Sequence, residues 1–346
     1  MNYKVPCILL LISVSLYYLL SPAPPLSDEQ LTTHLKDKVV LICGASSGIG
    51  EELAYQLARH GAKLVLVARN QDKLDVVKEG VVKLGAIDVQ TISFDFSDVK
   101  GSSGVINQTI AWFGKLDYLV SNHAAMIQGA FLGFPHQQEP DFIERIFRVN
   151  LFSQIELAVH SLPHLEASKG HMFFTSSGAG ETPFFSMAIY CSTKHALNGF
   201  FYSLQQELMA RESPVSLTIG AFGFIQTKDL SQVMINEDGE NAMSIPAWAT
   251  GDVKECARGM IESYISRPST MTYPKLSKNL GRAMWYFFPV PTFHNAMMGA
   301  FKRPGTVGNG YQESLDFVNE GREKREKLKF QQGYGISDVY IEREKS

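Results

Sequence analysis

KVVLICGASSGIGEELAYQLARHGAKLVLVARN, residues 38–70, decides the fold. Val39 to Cys43 are continuously apolar, the pattern of a strand buried on both faces. A glycine turn follows, then an amphipathic helix, then a second buried strand. Gly44, Gly48 and Gly50 fall at the turn and at the helix start, where missing side chains let backbone N–H groups and the helix dipole approach a pyrophosphate. Three glycines alone are weak evidence, because a tight turn also needs small residues. Between a strand and a helix, in a unit of this length, they have the context that a dinucleotide motif requires. Where an acidic residue would hold a free ribose hydroxyl stands Arg69, which favours the extra phosphate of NADP.

Outward from this unit the alternation continues. A helical stretch at 71–84, the strand VQTISFD (89–95), a helix at 98–113 and the strand KLDYLVSNHA (115–124) follow in turn. A long helix at 140–165, the strand HMFFTSS (171–177), a helix opening at Tyr190 and a strand within PVSLTIGAFGFIQTKDL (214–230) extend the pattern. DVKECARGMIESYI (252–265) reads as a further helix and STMTYP (269–274) as a last strand. The expected fold class is therefore α/β, a doubly wound parallel sheet whose ligands bind beyond the carboxyl ends of its strands. Asp95 and Asn122 end strands and so point to that crevice, although either could serve as a cap or turn residue. His123 reads as a structurally satisfied histidine. Asn150 lies inside the long helix, where asparagine is no asset, so a buried Asn150 needs partners.

SSGAGETPFFSMAIYCSTK (176–194) carries the candidate chemistry. Ala196, Leu197, Phe200, Phe201, Leu204 and Leu208 recur at helical spacing, which places Tyr190 and Lys194 on one face a turn apart. A tyrosine with pKa of about 10 is a poor acid or base near neutrality until a cation favours its phenolate. Lys194 is expected to supply that cation. Strand 171–177 delivers Ser176 and Ser177 to the same sheet edge.

The chain has 346 residues, 45% hydrophobic, with 32 Lys+Arg against 35 Asp+Glu. That balance carries no nucleic-acid footprint. Cysteines at 7, 43, 191 and 256 form neither metal spacing nor a disulfide framework, and free thiols are expected. Residues 5–20 are almost wholly apolar, and with their flanks they just reach the length of a spanning helix. A cleaved signal peptide would also fit. Pro22, Pro24 and Pro25 make a cleavage site awkward, and Tyr17 and Tyr18 suit an interfacial belt, so a retained anchor is favoured. Lys4 before it and Asp28 and Glu29 after it orient the globular part to the lumenal side. The expected organisation is an anchor at 1–22, a linker at 23–36, a catalytic domain at 37–275 and a C-terminal extension at 276–346. The long segment after Gly223 is the natural place for a substrate lid. Residues 279–301 are rich in aromatics and methionine but broken by Pro289 and Pro291, so they suit either a monotopic membrane surface or a subunit contact. The charged tail reads as a solvent-exposed helix and loose end.

From Lys38 to about Tyr273 these motifs resemble the short-chain dehydrogenase/reductase family. CGASSGIG resembles its cofactor glycine motif, with Cys43 in place of the usual threonine. SNHA stands where the family has Asn-Asn-Ala-Gly, so Asn122 carries over. Asn150, Ser177, Tyr190 and Lys194 match the catalytic four. In FGFIQT, Phe222 replaces the usual proline, while Gly223, Ile225 and Thr227 keep the cofactor-facing pattern. The resemblance implies a Rossmann fold holding NADP(H) through Gly44, Ser46, Ser47, Gly48, Ile49, Gly50, Arg69, Asp95, Phe96, Asn122, Ile225 and Thr227, with Tyr190 and Lys194. It implies that Tyr190 is the acid/base, that Ser177 donates to the substrate oxygen, and that Asn150 holds a water relaying protons to Lys194.

Within the family, the anchor, Arg69, the Asn122-His123 pair and YCSTKHALNGFF (190–201) are similar to the 11β-hydroxysteroid dehydrogenase type 1 group. That similarity implies an enzyme of the endoplasmic reticulum membrane, lumenal and homodimeric, interconverting hydroxyls and ketones on lipophilic, steroid-like substrates. A sequon at Asn107 would be usable only on the lumenal side. The alternative is a steroleosin-like lipid-droplet or membrane-surface protein with weak or secondary dehydrogenase activity, which the SPAPP stretch (21–25) and the aromatic C-terminal run keep open.

Overall fold

Alternation of buried strand and amphipathic helix builds one parallel sheet here. The structure is a computed structural model that describes residues 25–125, 141–184, 187–227 and 250–274. In chain order these are α1 (Asp28–Leu35), β1 (Val39–Cys43), α2 (Gly48–Arg59), β2 (Lys63–Ala68), α3 (Gln71–Lys83), β3 (Asp88–Ser93), α4 (Ser102–Phe113) and β4 (Tyr118–Ser121). Then come α5 (Phe142–Phe147), a π-helical turn (Arg148–Phe152), α6 (Ser153–Ser168), β5 (His171–Ser177), a short 3-10 turn (Gly178–Gly180) and α7 (Ala188–Ala210). Strand β6 (Ser216–Phe222), the two-residue strands β7 (Phe224–Ile225) and β8 (Thr250–Gly251), α8 (Val253–Ser266) and β9 (Thr270–Tyr273) follow.

The seven-stranded sheet runs β3-β2-β1-β4-β5-β6-β9, with every pairing parallel. Strand order reverses between β1 and β4, so the crevice for ligand opens at the carboxyl ends of those two strands. Side chains of β1 alternate between two cores: Val40 and Ile42 join Leu31, Leu57, Leu74 and Met260 on one face, while Val39, Leu41 and Cys43 join Ile106, Leu157, Leu197 and Phe201 on the other. Each such leucine, fully buried, contributes roughly 1.5–3 kcal/mol.

Four expectations change in detail. The stretch expected as a linker contains α1, opened by a reciprocal capping box of Ser27 and Gln30, with Leu31 and Leu35 fully buried. Helix α4 begins at Ser102 rather than near 98, because the Asp98 carboxylate accepts from the Gly101 N–H and fixes a turn first. Strand β4 is shorter than 115–124, since Asn122 already leaves the sheet. The long helix is interrupted at Arg148–Phe152 by the π-helical turn, which contains Asn150. Cys43, Cys191 and Cys256 are buried free thiols. Among the described residues no helix is long and apolar enough to cross a membrane. Cys7, the apolar run at 5–20, residues 228–249 of the lid expected between Gly223 and Thr250, the aromatic segment at 279–301 and the charged tail lie outside the described residues.

At the opposite end of the sheet from the crevice, His171 is buried between Tyr118 and Tyr264, with ring centroids 5.3 and 6.4 Å away. Burial, helped by the Arg267 charge, pushes its imidazole down to about 3, and His123 is likewise pushed to about 3 by burial and by Lys194. Both folded-state values lie below 6.5, so the unfolded chain takes up these protons first. Stability is therefore lost as the pH falls from 6.5 towards 3, by up to roughly 1.4 kcal/mol per pH unit for each histidine. Urea titrations at several pH values should show His171→Phe losing stability less steeply with acid than the wild type. An unchanged slope would place the acid-labile groups elsewhere.

Candidate active site

The crevice floor is made by the turn between β1 and α2. Gly44 sits at φ +85, where a Cβ would come within 2.8 Å of the His123 backbone, and Gly48 sits at φ +61. A Cβ on Gly50 would stand 2.0 Å from the Gly44 carbonyl oxygen. The three glycines thus let β1 turn sharply into α2 and leave Gly44, Ser46, Ser47, Gly48 and Ile49 half-buried along the crevice. Ser47 caps α2 without committing its hydroxyl to the helix. The space beside Gly48 is bounded by Thr227, 3.2 Å from a notional Cβ, so the segment after β7 forms the facing wall with buried Ile225. This cradle of bare backbone at a helix N-terminus fits a pyrophosphate.

Arg69 follows β2, exposed at the edge of the same crevice, with its carbonyl accepting from Ser93 Oγ at 3.0 Å. Asp95, two residues beyond β3, accepts from the Ser97 N–H at 2.9 Å and lies 4.0 Å from Arg145. Burial pushes its carboxyl up, but hydrogen bonds from Ser97 and the charges of Arg69 and Arg145 outweigh that and hold it below the usual range. The Phe96 ring is buried and stacked on His123 at 3.7 Å, which leaves its backbone to face a cofactor.

Asn122 ties the glycine turn to the catalytic strand. Its backbone N–H donates to the Cys43 carbonyl at 2.9 Å, its amide donates to the Gly44 carbonyl at 3.3 Å, and its amide oxygen accepts from Thr175 Oγ1 at 3.1 Å. The Thr175 carbonyl in turn accepts from Lys194 Nζ at 2.8 Å. Lys194 is fully buried on α7, with Nζ 5.7 Å from the Tyr190 ring centroid. Tyr190 is 6% exposed, and a hydrogen bond from Ser177 reaches it.

Burial pushes Tyr190 up to about 12 and Lys194 down to about 7, with Ser177 pulling the tyrosine part of the way back. Desolvation penalises phenolate and ammonium alike. Tyr190 therefore holds its proton at neutral pH, which is the state of a proton donor.

Asn150 is buried and has the partners that a buried asparagine needs. Its amide oxygen accepts from the Ala125 N–H at 2.7 Å, and its two amide hydrogens go to the Ala125 carbonyl at 2.8 Å and Thr193 Oγ1 at 3.2 Å. Both amide hydrogens are thereby committed, while the amide oxygen keeps a second lone pair. Thr193 donates to the Tyr190 carbonyl at 2.8 Å, so the Asn150 side chain braces the first turn of α7. Thr175 and Thr193 were not singled out in the sequence. Thr193 precedes the lysine and is marked by that position, whereas Thr175, which acts through both its hydroxyl and its backbone carbonyl, lies inside an apolar strand pattern that gives no such signal.

Tyr190 belongs to a small apolar cluster, separate from the two cores, with Ala179, Met187 and Cys191, and Phe184 packed against it. Phe184 meets Phe224 edge-on, with centroids 6.2 Å apart. The glycine turn can hold a dinucleotide whose reacting end reaches the Tyr190–Lys194 pair.

Comparison with known proteins agrees with this geometry. Residues 38–237 match the short chain dehydrogenase family. The 11-beta-hydroxysteroid dehydrogenase-like 2 protein of Arabidopsis thaliana is 36% identical over 247 residues, covering 70% of this chain and 77% of that protein. A hydroxysteroid 11-beta-dehydrogenase 1-like protein of Xenopus tropicalis is 32% identical over 268 residues, covering 78% and 87%. Among solved structures, a metagenomic short-chain oxidoreductase in complex with NADP is 30% identical with a TM-score of 0.50, covering 55% of this chain and 84% of that one. With a dinucleotide cradle, a buried Tyr-Lys pair and relatives of this extent, the chain belongs to the short chain dehydrogenase family of oxidoreductases acting on CH–OH groups.

Proposed function

We propose that this enzyme uses NADP(H) to interconvert a ketone and a secondary alcohol on a lipophilic, steroid-like substrate. The observation that carries the substrate class is the apolar cluster of Ala179, Phe184, Met187 and Cys191 beside Tyr190. An oxygen presented there is flanked by hydrocarbon except on the side of Tyr190 and Ser177. Arg69 supports the choice of NADP(H) over NAD(H), as does the NADP bound in the metagenomic relative. Bound NADP(H) supplies the hydride in reduction and takes it up in oxidation.

The chain's own residues handle the oxygen. Tyr190 gives its proton to the carbonyl oxygen in reduction and recovers it in oxidation. Ser177 donates a hydrogen bond where negative charge develops. Lys194, when protonated, favours the phenolate left on Tyr190 and is itself held by the Thr175 carbonyl.

The proposal includes a retained N-terminal anchor in the endoplasmic reticulum membrane, with the catalytic domain lumenal. It also includes a homodimer, supported by Phe152, Val159 and Met209, which are 44%, 57% and 72% exposed around the α6–α7 layer. Purified protein incubated with NADPH and a panel of ketosteroids, retinal and quinones should consume NADPH with at least one ketosteroid. Absence of turnover across the panel would overturn the proposed activity and leave the membrane-surface role.

A further inference from the structure

Asparagine is a poor residue for a helix interior, yet Asn198 sits mid-way along the 23-residue helix α7 and is only 4% exposed. It lies four residues after Lys194 and eight after Tyr190, on the same face. Ser176 Oγ donates to its amide oxygen at 2.6 Å, and its amide nitrogen donates to the Gly180 carbonyl at 2.9 Å. Ser176 and Gly180 bracket the segment Ser177-Gly178-Ala179, so one side chain grips both ends of the turn that presents Ser177.

The grip is close. A Cβ on Gly180 would stand 2.7 Å from Asn198 Nδ2, 2.8 Å from the Lys194 carbonyl and 3.0 Å from Ser176 Oγ, so the turn lies flush against α7. Bonds within the turn, from the Glu181 and Thr182 N–H groups to the Gly178 carbonyl and from Ala179 N–H to Ser177 Oγ at 3.1 Å, keep its shape. They do not tie it to the helix that carries Tyr190, and Asn198 does.

We propose that Asn198 is a positioning residue that sets the Ser177 hydroxyl against Tyr190 by clamping both ends of the turn to α7. The inference rests on the proposed role of Ser177. A shift of about 1 Å in a catalytic group costs roughly 10²-fold in rate, and loss of one oxyanion donor costs about 10²–10³-fold. The clamp therefore acts on kcat and leaves the glycine cradle alone.

The test compares Asn198→Leu, Ser176→Ala, Ser177→Ala and the Asn198→Leu/Ser177→Ala double variant. Readouts are NADPH-dependent reduction of the ketosteroid that the wild type turns over, NADPH affinity by fluorescence quenching, and the pH profile of alcohol oxidation. Asn198→Leu should lower kcat by roughly 10²-fold with NADPH affinity unchanged, and Ser176→Ala, which cuts one arm only, should fall between it and the wild type. In the double variant the Asn198 change should add little, because its target is already gone. The acidic limb of the oxidation profile, where activity rises as Tyr190 gives up its proton, should move to higher pH in Asn198→Leu, since Tyr190 loses the hydrogen bond that favours its phenolate. Should Asn198→Leu fail to fold, Ser176→Ala decides by the same readouts. Wild-type kcat in Asn198→Leu or, failing that, in Ser176→Ala, or fully multiplicative losses in the double variant, would overturn the clamp. Wild-type kcat in Ser177→Ala would instead overturn the catalytic role of Ser177 on which the clamp rests.

Discussion

Tyr190→Phe is expected to lower kcat for ketone reduction by a factor of about 10²–10⁴, the usual contribution of a positioned general acid, with NADPH affinity little changed. The substitution removes one oxygen from a ring that is 6% exposed and packed against Met187, Cys191 and Phe184, so the site keeps its shape. Lys194 keeps its bond to the Thr175 carbonyl, and the glycine cradle is untouched. What disappears is the phenolic proton, together with the hydrogen bond from Ser177. Steady-state kinetics beside a direct cofactor titration separate the two effects, and loss of NADPH binding in step with activity would point to a structural role for the hydroxyl.

Gly50→Val should abolish activity by a different route, weakening NADPH binding by about 10²-fold or more through displacement of the cradle. A Cβ at this position meets the Gly44 carbonyl oxygen at 2.0 Å, the Gly44 carbonyl carbon at 2.9 Å and the Ala45 Cα at 3.1 Å. All three are backbone atoms, so no side chain can swing aside, and the first turn of α2 must move away from β1. Gly104 in α4 is the matched control, with nothing within 4 Å of its notional Cβ. Gly104→Ala should bind NADPH normally and gain up to about 1 kcal/mol of helix stability. Calorimetric titration and thermal unfolding of both variants check this pair, and normal NADPH affinity in Gly50→Val would contradict the assigned cradle.

Much of this site is legible in the chain because the features that build it are local. Glycines at 44, 48 and 50 between an apolar run and a helical pattern announce a turn whose backbone must stay bare, and the pairing of Tyr190 with Lys194 follows from helical spacing alone. The order of strands and helices is equally local, since each strand buried on both faces is continuously apolar. The less legible parts depend on tertiary contacts. The capping box at Ser27 and Gln30 was present in the sequence, but its proximity to a proline-rich stretch made 23–36 read as a linker; only Leu31 and Leu35 in the core show it to be part of the domain. The π-helical turn around Asn150 arises where the helix reaches across to Ala125 and Thr193, partners 25 and 43 residues away. Asn198 drew no notice among the apolar residues of its helix, because an asparagine gripping Ser176 and Gly180 looks in sequence like any weak helix former. Spacing places Tyr190 and Lys194 a turn apart but does not report the depth at which both are buried.

The central claim is that Tyr190 protonates a ketone oxygen while NADP(H) carries the hydride. The most direct measurement follows label from NADPH deuterated at the transferable position of its nicotinamide into the product of a ketosteroid, in the wild type and in Tyr190→Phe. A single deuterium at the new carbinol carbon in the wild type, with transfer slowed to near background in the variant, is the predicted result. Failure of the wild type to transfer label to any ketosteroid, or transfer in the variant at the wild-type rate, would contradict it.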